Sequence, residues 1–240
     1  MAKSNTHFNF KQFAVHHDRC SMKVGTDGVL LGAWTDIRHV NTILDIGTGS
    51  GVIALMLAQR TSDHVAIDAV EIEAEDAAQA RGNVTQSPWP KKVVLHEIAV
   101  QDFFPTNQYE LIVSNPPYFN NSWQPPDPKR YQTRHTVTLT YTDLLSAVTR
   151  LLSPKGRFSL ILPFTEGLHF IELALALGLH CSRQWSFRTR KGKPIERWLL
   201  EFSPVRMTRE ENEIVLYEHD RGEEWSAPYK ELTRDFYLKL

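Results

Sequence analysis

The sequence predicts an α/β protein: a doubly wound, mostly parallel seven-stranded sheet that finishes in an antiparallel C-terminal hairpin. Three observations carry this prediction. Short apolar runs alternate with helical stretches from Thr42 to Leu177, the pattern of parallel strands joined by crossover helices. The first run passes directly into a glycine turn, Gly47-Thr48-Gly49-Ser50-Gly51, that opens a helix. The last two runs, Cys181 to Phe187 and Glu196 to Phe202, are joined by a short basic loop and form a hairpin.

Taken in order, residues 8–13 alternate phenylalanine with polar residues, which suggests a short strand or hairpin arm packed on a larger body. Gly25-Thr26-Asp27-Gly28 precedes an apolar stretch, Val29 to Trp34, with Thr26 or Asp27 as N-cap of a short helix. Capping alone accounts for both residues, and it is compatible with Thr26 serving a ligand, because a helix start also offers NH groups to a carboxylate. Thr42 to Ile46 reads as the first buried strand and Val52 to Arg60 as the helix after the glycine turn. Val65 to Val70 is the second strand, ending in Glu71, with an alanine-rich helix from Ala74 to Val84. Val93 to Ile98 and Tyr109 to Val113 are strands three and four, with Asp102 between them. Residues 119–138 read as a long loop rich in Pro and Asn, in which Arg134 and His135 are either phosphate contacts or ordinary loop polarity. Thr142 is expected to cap a helix to Leu152, Phe158 to Leu162 to be strand five, and Glu166 to Leu177 a helix closed by Gly178. The tail is charged, with one apolar run at Ile214 to Tyr217 and a final helix around Tyr229 to Tyr237.

The chain has 240 residues, 42% hydrophobic and 23% charged, which suits one large soluble domain. Residues 1–40 form an N-terminal arm and helix, 41–203 the core and 204–240 an extension. No apolar run approaches membrane-spanning length, and Met1 to Asn9 is polar, so a cytoplasmic location is expected; the chain is expected to be a monomer as well. Two distant cysteines, Cys20 and Cys181, and ten histidines without metal-ligand spacing give no basis for a disulfide framework or a metal. The net charge of −1 hides an asymmetry: the stretch from Arg183 to Arg197 is strongly basic, whereas Glu210 to Glu224 is acidic. A polyanion would find only one face. A basic hairpin is usually just a solvated turn, but clustering of Arg188, Arg190, Lys191 and Lys193 beside Trp185 and Trp198 adds weight to RNA contact.

The chemistry centres on Asn115-Pro116-Pro117-Tyr118, directly after the fourth strand. Two prolines fix two φ angles and donate no hydrogen bond, so the strand ends in a stiff turn. Such a turn can hold an amide that accepts hydrogen bonds beside a ring that stacks, which suits a planar substrate bearing an NH2 group. Ligands of doubly wound sheets bind at the carboxyl ends of the strands, and Gly47, Glu71, Asp102 and Asn115 all fall on that rim. Glu71, about twenty residues beyond the glycine turn, is placed to accept hydrogen bonds from ribose hydroxyls, with Glu73 a competitor for that role. The turn spacing is GxGxG, and Asp45 within Leu-Asp-Ile-Gly would repel a pyrophosphate but suit a cationic ligand.

With those residues the sequence resembles the class I, Rossmann-like, S-adenosylmethionine-dependent methyltransferases. The resemblance implies that Thr26, Asp45, Gly47, Gly49, Gly51 and Asn115 bind S-adenosyl-L-methionine, with Glu71 on the ribose and Asp102 meeting the adenine. The Asn-Pro-Pro-Tyr turn is similar to that of the amino-methyltransferases, which act on adenine N6, cytosine N4 or a glutamine amide. It implies that the Asn115 side chain and the Pro116 carbonyl accept from the target NH2, with Tyr118 stacked on the base. Phe10-Lys11-Gln12-Phe13, Lys23 to Asp27 and the basic hairpin extend the resemblance to the bacterial enzymes that methylate adenine 37 of a valine tRNA. That family implies a tRNA anticodon stem-loop as partner. A protein-glutamine methyltransferase shares the four-residue turn but carries a separate N-terminal helical domain, and another RNA such as rRNA is a further alternative. A non-catalytic tRNA-binding module would be expected to have lost the Asn115 turn.

Overall fold

The computed structural model describes residues 6–117 and 139–239. Eight strands form one mixed sheet, and an antiparallel two-stranded arm, β1 (His7–Asn9) with β2 (Ala14–His16), lies outside it. The chain then alternates: α1 (Thr26–Trp34), β3 (Thr42–Ile46), α2 (Val52–Arg60), β4 (Ala66–Glu71), α3 (Ala74–Gln86), β5 (Val93–Glu97), a 3-10 turn (Val100–Asp102) and β6 (Tyr109–Ser114). It continues with α4 (Tyr141–Leu151), β7 (Leu152–Pro163), α5 (Phe164–Ala176), β8 (His180–Arg188), β9 (Arg197–Ser203), β10 (Glu210–Val215) and α6 (Ala227–Thr233).

Spatial order in the sheet is β10-β8-β9-β7-β6-β3-β4-β5. From β7 to β5 every neighbouring pair is parallel, and β9 runs antiparallel to both β7 and β8. The order reverses between β3 and β6, the switch point at which such sheets open a crevice for ligands. Both faces are covered, by one core around α1, α2 and the arm and another around α4 and α5. This explains why β3 and β6 read as continuous apolar runs.

Helices α1 and α2 approach closely at Gly32, where an added Cβ would lie 2.7 Å from the Met56 sulfur. Arg60, in the last turn of α2, donates to the carbonyls of Gly32 and Thr35 at 2.7 and 2.9 Å and so closes the end of α1. The arm is tied to the C-terminal tail: the amide of Lys11 donates to the Phe236 carbonyl, and Phe10 packs near Phe236 and Tyr237.

Several expectations need correction. The sheet has eight strands rather than seven, because Glu210–Val215, which ends inside the apolar run begun at Ile214, joins it parallel to β8. The residue before α1 is Gly25, in extended conformation, and neither Thr26 nor Asp27 caps the helix. Helix α4 starts earlier than Thr142, on Thr140, whose hydroxyl accepts from the Asp143 amide while the Asp143 side chain accepts from Thr140 in return. The final helix is α6, capped by Ser226 and shorter than the span to Tyr237.

The hairpin's charge asymmetry is also altered. Strand β10 brings the acidic segment against the basic one, with Glu210 opposite Arg183 and Glu213 opposite Ser186, two residues from Arg188. The Arg188–Glu213 ion pair is 2.7 Å, and Arg183 sits 3.6 Å from both Glu201 and Glu210. Residues that read as opposite faces are neighbours.

Candidate active site

The glycine turn links the end of β3 to α2. Gly47, Gly49 and Gly51 have φ of 69°, 54° and 81°, a region that side-chain-bearing residues rarely adopt. At Gly47 and Gly49 an added Cβ would meet nothing within 4 Å, because both face an open cavity. The amides of Gly47 and Thr48 donate to the Val70 carbonyl at 3.0 and 3.2 Å, fixing the turn to β4.

Two carboxylates hold this turn from opposite sides. Asp45 is fully buried; its Oδ2 accepts from the Thr48 hydroxyl at 2.6 Å and the Ala54 amide at 3.2 Å. Burial raises its carboxyl to about 7, against the lowering effect of those two hydrogen bonds, and the nearby Glu71 charge adds to the rise. Its Oδ1 is buried without a partner among the described residues. Glu71, at the tip of β4, accepts from the amides of Gly49 (2.9 Å), Ile72 (2.9 Å) and Glu73 (3.0 Å). Burial raises its carboxyl above the ordinary range while those amides pull it down. A carboxylate offers about four lone-pair positions, so Glu71 retains acceptor capacity for a ligand.

A cavity of about 380 Å³ lies over the turn. One wall is Thr26 to Gly28 of α1 and another is Gly47 to Ser50. Asn115, directly after β6 and half-buried, forms part of a third, completed by Phe187, Thr189, Glu196, Arg197 and Leu216 from the hairpin and its neighbour. A smaller cavity of about 50 Å³ between Glu71, Ile72 and Ala99 to Gln101 shares Gly47 with the first. Arg197 Nε lies 2.8 Å from Asp27 Oδ2, joining the first turn of α1 to the start of β9.

The structure therefore brings Thr26, Gly47, Gly49 and Asn115 to one cavity, with Glu71 on the adjoining one. Gly51 stands behind the turn, where a Cβ would be 3.4 Å from the Ala80 Cβ. Asp45 lines neither cavity and reaches the site through the turn it holds. Asp102 lines neither and is exposed; Ala99, Val100 and Gln101 occupy the rim expected of it, because the 3-10 turn points their side of the chain inward. Pro116 is buried and Pro117 exposed. Tyr118, Arg134 and His135 lie outside the described residues. In the basic loop, Arg188 is taken up by Glu213 and the Lys193 carbonyl, and Arg190 by the carbonyls of His219 and Gly222 and the Tyr217 ring. Lys191 and Lys193 are exposed. Arg197, Phe187 and Leu216 were not legible as site residues: no local motif marks them, and only the pairing of β8 with β9 and β10 delivers them to the rim.

A mostly parallel sheet with a glycine turn, an acidic tip on the next strand and an Asn-Pro-Pro turn on the same rim defines a methyltransferase. Residues 23–163 match the methyltransferase small domain family, and the chain belongs to it. It is 44% identical over 233 residues to the tRNA1(Val) (adenine(37)-N6)-methyltransferase of Shigella sonnei (strain Ss046), covering 96% of this chain and 94% of that protein. The protein of the same name from Histophilus somni (strain 129Pt) is 43% identical over 244 residues and covers both chains completely. Among solved structures, a predicted O-methyltransferase from Agrobacterium tumefaciens has the same fold, with a TM-score of 0.65 at 17% identity, covering 88% of this chain and 96% of that one. A glycopeptide N-methyltransferase in complex with S-adenosyl-L-methionine is similar at TM-score 0.55 and 12% identity, covering 75% and 99%. No helix among the described residues is long and apolar enough to cross a membrane.

Proposed function

We propose that this chain transfers the methyl group of S-adenosyl-L-methionine to N6 of an adenine in tRNA, adenine 37 beside the anticodon of a valine tRNA. The observation that carries the chemistry is the presence of Asn115 and the glycine turn in the walls of one cavity. The substrate assignment rests on full-length relatives bearing that activity in their names.

The donor set suits the methyl donor. Open space over Gly47 and Gly49 admits close approach of a ligand, Glu71 has acceptor capacity left for ribose hydroxyls, and the first turn of α1 at Thr26 offers amides to a carboxylate. Above about pH 7, where the Asp45 carboxyl is ionised, its unpartnered oxygen adds negative potential behind the turn, favourable to a cation. When bound, S-adenosyl-L-methionine supplies an activated methyl on a sulfonium.

The protein's part on the substrate side falls to the Asn115 turn. An adenine NH2 is a weak nucleophile because its lone pair is delocalised into the ring. The Asn115 side-chain oxygen and the Pro116 carbonyl, accepting from that NH2, favour a tetrahedral nitrogen and stabilise its growing positive charge. Tyr118 holds the base by stacking, and the target must be unpaired or flipped. Lys191 and Lys193 contribute the free charge of the hairpin toward phosphates. Action on tRNA supports a cytoplasmic location, and we propose that the protein works there as a monomer.

Replacing Asn115 with Ala tests the assignment. Methyl transfer to unmodified tRNA should fall by a hundredfold or more, about the loss expected on removing one preorganised acceptor, while S-adenosylhomocysteine and tRNA still bind. Wild-type turnover in Asn115→Ala would refute the role of the turn.

A further inference from the structure

Beyond the target pocket, the rim carries an aromatic pair that the scheme above does not use. Phe164 is the first residue of α5, directly after β7, and it is 39% exposed. Its ring stacks on Trp198 with centroids 5.7 Å apart and an interplanar angle of 28°. Strand β7 lies between β6, which ends at the Asn115 turn, and β9, with Ser114 opposite Leu160 and Pro163 opposite Arg197. Phe164 therefore emerges at the rim beside both. Its amide donates at 3.2 Å to the carbonyl of Glu196, which itself lines the large cavity together with Asn115 and Arg197.

The pair is built to be rigid. Trp198 is partly buried against the core beneath α5. Gly167 makes room for it: a Cβ there would come within 2.6 Å of the indole Cδ1. The indole Nε1 is buried and has no acceptor among the described residues, so hydrogen bonding does not account for how the ring is placed. An aromatic face held in place at one ring and exposed at the other loses little entropy on binding a flat partner. Phe164 does not line the target cavity, so the base it would meet is not the one being methylated. The exposed Lys191 and Lys193 of the adjoining loop supply the positive field that single-stranded nucleic acid requires.

We propose that Phe164, backed by Trp198, is a stacking platform for an unpaired base that neighbours the target adenine in the RNA. This rests on the RNA reading above. It identifies a second nucleotide subsite and explains how an enzyme can grip a loop through sequence-tolerant stacking.

The test uses full-length protein carrying Phe164→Leu, which keeps an apolar side chain, and Phe164→Tyr, which keeps the ring. A stacked base contributes enough that its loss should raise KM for tRNA by about tenfold in Phe164→Leu, with kcat changed little. Phe164→Tyr should restore KM, and the melting shift given by S-adenosylhomocysteine should be the same in all three proteins. In an anticodon stem-loop with 2-aminopurine at either flanking position, wild type should quench fluorescence at one position, and Phe164→Leu should lose that quench. A wild-type KM in Phe164→Leu, or a quench that survives the substitution, overturns the platform while leaving the methylation reading intact. Wild-type protein that neither binds nor methylates tRNA overturns the RNA reading itself.

Discussion

Replacing Asp45 with Asn isolates what this buried carboxyl does for the site. Oδ2 already accepts both the Thr48 hydroxyl and the Ala54 amide, and Oδ1 has no partner among the described residues. An Asn side chain can present its single oxygen to both donors and its NH2 where Oδ1 stood. The shape of the turn should survive, and only the titration is lost. Burial holds the Asp45 proton up to about pH 7 in the folded protein, whereas the unfolded chain releases it near the ordinary aspartate value of about 4. Across that window the folded state binds more protons than the unfolded one, so wild-type stability from this group falls as pH rises. The fall is on the order of 1 kcal/mol per pH unit, and it ends above the folded value. Between pH 5 and pH 8 the stability of Asp45→Asn relative to wild type should therefore rise by about 2 kcal/mol, or roughly 5 °C in Tm for a chain of this size. Thermal and urea unfolding at the two pH values measure it directly. Any hydrogen-bond defect introduced by Asn shifts both values equally and cancels. A difference that does not change with pH would show that Asp45 is ionised in the folded protein throughout, and would refute the argument.

Two further predictions concern binding. Glu71→Gln leaves one oxygen to serve amides on two sides, Gly49 and the Ile72–Glu73 pair, so the glycine turn loosens and the acceptor for the ribose goes. S-adenosylhomocysteine affinity, read by calorimetry, should fall by about tenfold, equivalent to one lost hydrogen bond to a charged group; unchanged affinity would remove Glu71 from the site. In the hairpin, Lys191→Gln with Lys193→Gln should flatten the salt dependence of tRNA binding by about one to two units of slope, whereas Arg188→Gln should hardly alter it, because Glu213 already engages that guanidinium. Equal flattening by Arg188→Gln would contradict the charge assignment.

What could be read from the sequence follows the range of the interactions involved. Helix α2 is bounded as expected, at Val52 and Arg60, because the glycine turn and the apolar run after it are local signals. Asn115 is found at the rim because an X-Pro-Pro turn can only end a strand. Gly47, Gly49 and Glu71 follow from the same strand-turn-helix logic. Where the reading missed, the deciding contact was distant or the phase was off by a residue or two. Strand β10 is mostly charged and does not look like a strand; its Glu210 and Glu213 are held by ion pairs with Arg183 and Arg188 of the neighbouring β8. That pairing also removes Arg188 from the expected RNA surface, while Arg190 is drawn onto backbone carbonyls around residue 220. Asp102 lay on a correctly placed segment, but one 3-10 turn decides which of its residues face inward. Thr26 reached the cavity for a reason other than capping: the extended Gly25 brings the start of α1 to the rim.

The central claim is best tested by mapping the product. Purified protein incubated with S-adenosyl-L-methionine and unmodified valine tRNA should yield, after nuclease digestion and mass spectrometry, one N6-methyladenosine in the fragment carrying adenine 37. A methyl group on any other nucleotide, or on a protein glutamine with the tRNA untouched, would contradict it.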